Sequence, residues 1–138
     1  MPSYWDFTFF AFVHTINANK NESLGMRTIP VDLFPASIGA QNRLIRLHAV
    51  FATDVVGAPV TIQLLDVTLG GVPLTNSVLT GNSLSPIEQV SPLPGIPVTN
   101  APGGLFTIGA PHILELDVVT PAGVKCILSG AWVSVDYV

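Results

Sequence analysis

The side chains best suited to metal binding or proton transfer in this chain are its three histidines, His14, His48 and His112. None of them stands in an H-E-x-x-H or C-x-x-C arrangement, the spacings by which zinc sites are recognised in a sequence. A lone histidine on or beside a strand more often makes a structural hydrogen bond than binds a metal. The sequence therefore predicts no metal site at the histidines.

Two carboxylates, Glu115 and Asp117, alternate with apolar residues and so share one face of a strand. Two acids at this spacing could hold a calcium ion or act as a pair of catalytic acids. The interpretation we favour is a solvated sheet face, on which the two acids face Lys125 or Arg46 across strands.

No nucleophile stands in a setting that would activate it. A G-x-S-x-G turn is absent, and Ser129 lies inside a long strand. Cys126 shares its parity with Val124 and Leu128, which predicts a buried thiol that behaves as a small apolar side chain. The Gly-Gly pairs lack the lysine and the strand-to-helix context of a phosphate loop. We therefore expect no enzyme, no catalytic residue and no cofactor.

Charge is scarce in this chain. Lys and Arg total 5 and Asp and Glu total 9, or 10% of 138 residues, whereas 49% of the residues are hydrophobic. Ordinary soluble domains carry roughly 25% charged residues, so we expect other protein to cover much of this surface. The few basic residues are scattered, which argues against nucleic acid as a partner. No run reaches the roughly 18 apolar residues of a membrane-spanning helix, so we expect no membrane partner either.

The stretch from His112 to Val138 reads as two strands joined by a turn at Thr120–Gly123. The second of these strands is apolar on both faces, which is typical of a strand in the middle of a sheet or between subunits. The aromatic segment from Tyr4 to Ile16 predicts another strand of this kind.

Further strands are predicted over 25–33, 43–53, 59–68, 72–79 and 105–108, with those at 43–53 and 59–68 forming a hairpin. The polar segment 17–23 is expected to be a loop. Residues 80–104 are rich in proline and predict an interaction loop or short strand pieces. Some eight strands in a chain of this length indicate a single all-β domain, residues 1–138, folded as a jelly-roll or Greek-key sandwich of two sheets.

Few charges, aromatic strands at both chain ends, a proline-rich loop region and this strand count together resemble the small decoration or cement proteins of tailed bacteriophage capsids. The resemblance is one of overall character across the chain, and no functional residue is carried over. In that family small β-sandwich proteins, commonly trimers, sit on the outside of an icosahedral head and bridge capsid subunits. The resemblance implies a structural protein at the capsid surface of a virion, with its own copies and the major capsid protein as partners.

Under this hypothesis the terminal strands and the loop region 80–104 are the interaction elements. The candidate interface residues are Tyr4, Trp5, Phe7, Phe9, Phe10, Phe12, Trp132 and Tyr137. One alternative is a carbohydrate- or receptor-binding module of a virion fibre or lectin-like protein, in which such aromatic residues would stack on sugars beside the carboxylates. A second alternative is a capsid jelly roll itself.

Overall fold

The computed structural model describes residues 4–10, 13–29, 43–97, 103–104 and 112–137, and for 4–10 only the backbone and its pairing. Ten strands account for most of these residues. They are β1 (Tyr4–Phe10), β2 (His14–Ile16), β3 (Asn21–Ile29), β4 (Arg43–Thr53), β5 (Val60–Asp66), β6 (Val72–Pro73), β7 (Leu79–Gly81), β8 (Ile87–Val90), β9 (His112–Val119) and β10 (Cys126–Tyr137). A short 3₁₀ turn at Val67–Leu69 follows β5.

The strands form two antiparallel sheets. The first sheet has the order β1-β10-β4-β8, with β2 also paired to β10, and the second has the order β3-β9-β5-β6, with β7 also paired to β5. If β1 and β2 are counted as one interrupted strand, and β6 and β7 as another, the sheet orders become 1-8-3-6 and 2-7-4-5. This is the jelly-roll arrangement, in which a long ribbon of paired strands (1 with 8, 2 with 7, 3 with 6, 4 with 5) wraps into a sandwich. The predicted two-sheet β-sandwich is confirmed.

Both predicted hairpins are wrong. β4 pairs with β10 and β8, whereas β5 pairs with β9, β6 and β7 in the other sheet. β9 and β10 are likewise split between the two sheets. Each of these strands has one apolar face, and a loop that crosses from one sheet to the other places two such faces against each other. The pairing partners therefore come from distant parts of the chain.

Period-2 alternation defines the inner face of each sheet. β5 is the clearest case, since buried and half-buried residues alternate along its whole length. The resulting core is a single cluster of aliphatic residues with Phe51 and Cys126, drawn from both sheets. Burying side chains of this kind contributes about 1.5–3 kcal/mol each.

The segment predicted as a loop over 17–23 is only partly a loop. β3 begins at Asn21, so its first three residues extend the pairing with β9 as far as Val119. A register shift between Ser23 and Gly25 marks a β-bulge, and Leu24 at this bulge packs against the core. Residues 30–42, which include the end of the predicted strand 25–33, lie outside the described part of the chain.

β10 lies in the middle of the first sheet, between β1 and β2 on one side and β4 on the other. A register shift against β4 falls between Leu128 and Gly130. Before it the buried apolar residues are Cys126 and Leu128, and after it they are Ala131, Val133 and Val135. The apolar residues on both parities thus reflect one core face whose parity changes at a bulge, rather than two buried faces.

The described part of region 80–104 is packed against both sheets. β7 pairs with β5 and β8 pairs with β4. After β8 the chain stays beside β4, because Ser91 and Ile96 donate backbone hydrogen bonds to Leu47 O and Ile45 O, both at 2.8 Å. Ser91 and Ile96 are buried. The prediction of short strand pieces is confirmed for β7 and β8, and the predicted strand 105–108 lies outside the described residues.

Candidate interaction surfaces

The outer face of the first sheet carries a group of polar and aromatic side chains centred on His48. The pairing of β4 with β10 places His48 directly opposite Trp132. Their rings stack with centroids 5.2 Å apart and an interplanar angle of 6°. One ring face of Trp132 therefore lies against an imidazole, and the residue is only half-buried. Trp132 lies on the outer face of the sheet because the bulge in β10 changes the parity of the strand.

His48 also links three strands through hydrogen bonds. Its Nδ1 lies 3.0 Å from Glu88 Oε1 on β8, and its Nε2 lies 2.7 Å from Ser134 Oγ on β10. A carboxylate can only accept, so Nδ1–H donates to Glu88 and Nε2 accepts from the Ser134 hydroxyl when the ring is neutral. The carboxylate, imidazole and hydroxyl thus follow the order of a Ser-His-Glu triad.

The surroundings of Ser134 do not support catalysis. Its side chain is buried, with 7% of the residue exposed. β10 is paired on both sides at this point, with Asp6 and Arg46, so its backbone groups are used in strand pairing. An acyl-transfer site needs free donors aimed at a developing oxyanion, and the described residues around Ser134 offer none. We interpret the group as a structural network that ties β8, β4 and β10 together.

A second polar contact on this face connects β4 to the segment after β8. Arg46 Nε donates to the backbone oxygen of Ser91 at 2.8 Å. Ser91 is completely buried and uses its hydroxyl to accept the N–H of Leu47. Arg46 and His48 both lie half-buried on the outer face of the first sheet.

The aromatic interface candidates of the N-terminal strand lie next to β10. β1 pairs with β10 so that Tyr4 lies opposite Asp136, Trp5 opposite Val135 and Phe7 opposite Val133. The pairing shifts register between Thr8 and Phe10, where Phe9 lies. Tyr137 is the last residue of β10, whereas Phe12 lies outside the described residues. Their role in an interface stays a prediction.

Glu115 and Asp117 lie on the outer face of the second sheet. The strands beside them are β3 and β5, with Asp117 opposite Ser23 and Gln63. The expectation that these acids face Lys125 or Arg46 is wrong, because Arg46 belongs to the first sheet and Lys125 to the loop after β9. Among the described residues no group of three potential ligands could hold a metal ion.

The pKa of Asp117 is raised above its ordinary value of 3.8. The main cause is burial, since only 7% of the residue is exposed although it stands on an outer sheet face. The negative charge of Glu115 raises the pKa further, and a hydrogen bond from the Gln63 side chain lowers it. Two carboxylates that repel each other on one sheet face disfavour contact with another acidic surface.

Two other predicted positions have structural roles. Cys126 is buried, as the sequence predicts, and burial raises the pKa of its thiol to about 12. His14 Nε2 on β2 lies 3.1 Å from Glu22 Oε1 on β3, and this contact connects the two sheets at their edge.

Four loops gather at one end of the sandwich, which we call the loop end: residues 17–20, 54–59, 82–86 and 120–125. Hydrogen bonds connect each loop to the next. They run from Asn19 N to Pro121 O (3.0 Å), from Thr120 Oγ1 to Asn17 O (2.6 Å), from Lys125 N to Asp54 Oδ1 (2.7 Å), from Asn82 Nδ2 to Gly57 O (3.1 Å) and from Thr53 N to Ser83 O (2.8 Å).

The loop end exposes apolar side chains that sequence reasoning missed. Val56 is 71% exposed, Leu84 57%, and Val55 and Ile87 are each 44% exposed. We call these four residues the apolar tip. A signal was present in the sequence, since all residues of the loop 54–59 other than Asp54 are apolar, glycine or proline. Turns usually favour polar residues together with glycine and proline, so two adjacent valines there need an explanation.

None of the described residues forms a helix long and apolar enough to cross a membrane.

No protein-family model and no curated protein sequence matches this chain. Its fold is similar to that of solved structures of infectious bursal disease virus. One is the structure of the Gx strain of that virus, with a TM-score of 0.51 and 14% identity over 99% of this chain and 32% of that chain. Another is the structure of T=1 particles derived from the virus, with a TM-score of 0.53 and 13% identity over 99% of this chain and 32% of that chain.

A third is the VP2 subviral particle of the same virus, with a TM-score of 0.50 and 15% identity over 99% of this chain and 33% of that chain. This chain spans about a third of the length of the proteins it matches. At such low identity the likeness shows the fold alone. The chain therefore shares its β-sandwich fold with part of these proteins of virus particles.

Proposed function

We propose that this chain is a structural component of a virion, a decoration protein that self-associates as a trimer on the capsid surface and bridges capsid subunits. The observation that carries the proposal is the similarity of nearly the whole chain, 99% of it, to chains of virus particles. The jelly-roll strand order agrees with it, since this architecture recurs in viral capsid domains.

The composition supports burial of the surface in an assembly. Only 10% of the residues are charged, and two of the few carboxylates, Glu22 and Glu88, lie within hydrogen-bonding distance of histidines of the same chain. A surface with so few free charges is removed from water at low cost when a protein partner covers it.

The self-association surface we propose is formed by β1 and the adjoining part of β10. β1 is an edge strand, paired with β10 alone among the described strands. An edge strand has a free row of backbone groups that can pair with another chain. Six of the eleven aromatic residues lie between positions 4 and 12, and aromatic side chains are enriched in protein interfaces.

A second candidate is a capsid subunit that builds the shell itself. What favours it is that the similar structures are those of T=1 and subviral particles. The lectin-like alternative has no such support. It required an aromatic ring beside the carboxylates in one pocket, whereas Trp132 lies on the first sheet and Glu115 and Asp117 lie on the second.

Light scattering on the purified chain tests this function. A trimer of 14.6 kDa subunits has about three times that mass, and it should bind preformed capsids without forming shells by itself. Thr8→Lys on β1 should lower the mass to that of one subunit, because lysine on an edge strand opposes pairing. Thr28→Lys on β3, an edge strand of the other sheet, is the matched control and should leave the mass unchanged.

A wild-type monomer with no affinity for capsids would refute the proposal. Closed particles formed by the chain alone would replace it with the capsid-subunit function, and electron microscopy of the same sample distinguishes these results.

A further inference from the structure

The apolar tip is held in its exposed position by the protein itself. Thr53 Oγ1 donates to Val55 O at 2.8 Å, and Asn82 Nδ2 donates to Gly57 O at 3.1 Å, so the two loops that carry the tip are fixed to each other and to β4. The N–H of Ser85 donates to Ser83 Oγ at 3.3 Å within the second loop. A surface ordered in advance binds without a large loss of conformational entropy.

The chemistry of the tip is that of a lipid contact more than of a protein contact. The four loops contain no aromatic residue and no arginine, although these are the residues in which protein interfaces and their hot spots are enriched. The exposed side chains are aliphatic; Val55, Val56 and Leu84 belong to the loops, and Ile87 is the first residue of β8. Insertion into a bilayer surface requires uncharged apolar groups and no complementary shape.

The charges of the loop end also suit a membrane surface. Lys20 and Lys125 are both exposed there, and within the described part of the chain neither ammonium pairs with a carboxylate. The loops contain one acid, Asp54, and its Oδ1 already accepts the backbone N–H of Lys125. Lysines beside an apolar tip face the anionic headgroups when the tip enters the interface.

From these observations we infer that the loop end is a peripheral membrane-contact site, at which Val55, Val56, Leu84 and Ile87 enter the headgroup region of a bilayer that contains anionic lipid. The proposal goes beyond the capsid role and does not depend on it. It also departs from our expectation of no membrane partner, which rested on the lack of a spanning segment. A loop tip that enters one leaflet needs no such segment.

The experiment is flotation of the full chain with vesicles of phosphatidylcholine and phosphatidylserine. The wild type should float with the vesicles. The double variant Val56→Ser/Leu84→Ser should bind vesicles at least about tenfold more weakly than the wild type, because it removes two apolar side chains from the inserted tip. Its melting temperature should match that of the wild type, since both positions are exposed.

The matched control is Val13→Ser/Leu93→Ser, which changes the same residue types at positions that are 74% and 66% exposed and lie outside the loop end. This variant should bind vesicles like the wild type. Three results would each overturn the proposal: no flotation of the wild type, equal losses in the two double variants, or a loss of self-association instead of vesicle binding in the tip variant. The last result would make the loop end a protein interface. Failure of the trimer test leaves this experiment unaffected, because vesicle binding is measured separately.

Discussion

Replacing Ser91 by alanine tests whether the segment after β8 is a fixed part of the fold or a loop free to bind a partner. Ser91 is fully buried, and its hydroxyl accepts the N–H of Leu47 at 2.8 Å. Alanine removes that acceptor and leaves a buried N–H without a partner, since the methyl group admits no water at a closed site. The penalty for such a group is about 1–3 kcal/mol.

The free energy of unfolding is measured by urea denaturation of the wild type and of Ser91→Ala. A loss of about 1–3 kcal/mol is a large part of the 5–15 kcal/mol that holds most domains folded. The slope of the unfolding free energy against urea concentration should stay constant, because the native surface does not change. Hydrogen exchange gives a local readout, since the amide of Leu47 should lose protection.

The control is Ser85→Ala in the exposed loop before β8, which should change stability by less than about 0.5 kcal/mol. Equal values for the two variants would refute the reasoning. In that case the hydrogen bonds of Ser91 would not hold the chain along β4, and residues 91–97 would be available for the partner contact proposed for region 80–104.

Four further predictions concern single positions. Asp117→Asn should stabilise the protein at neutral pH, because burial disfavours the charged form of the aspartate. The gain in stability should vanish as the pH falls below about 4, where the aspartate is protonated in both the folded and the unfolded state. Urea denaturation at several pH values measures the gain, and a gain that does not change with pH would contradict the prediction. Glu115→Gln should lower the pKa of Asp117 as followed by carbon NMR. Gly95→Ala should lower the free energy of unfolding by about 2 kcal/mol or more, because the residue has φ +89° and an added Cβ would lie 2.6 Å from Ile45 O. Gly70 has a similar φ of +88° but open space around it, so Gly70→Ala should cost about 1 kcal/mol. Trp132→Ala should cost less than the roughly 3–5 kcal/mol of a fully buried aromatic, since Trp132 is half-buried; a larger loss that depends on protein concentration would place it in an interface.

The sequence was sufficient for the architecture because strand patterns are local. Alternation in β5 and β9 identifies their core faces directly, and the number of strands suits a jelly roll. Strand partners are not local, and a loop such as 54–59 fits a hairpin as well as a crossing between sheets. The bulge in β10 hid the core face for a similar reason, since only the pairing with β4 shows where the parity changes. Ser129-Gly130 was the available signal, because glycine inside a strand often marks a bulge.

The two outer sheet faces differ in how they could take part in assembly. On the first sheet Glu88, His48, Ser134 and Arg46 hydrogen-bond within the protein, which lowers the cost of covering these four side chains with a partner. On the second sheet the charge of Glu115 helps to raise the pKa of the buried Asp117, so the two acids repel each other. Burying two such faces against one another would add to this repulsion, and buried unpaired charge is strongly destabilising. We therefore propose the first sheet, which includes β1 and β10, as the surface for self-association at neutral pH, and expect the second sheet to stay in contact with solvent or with a cationic partner.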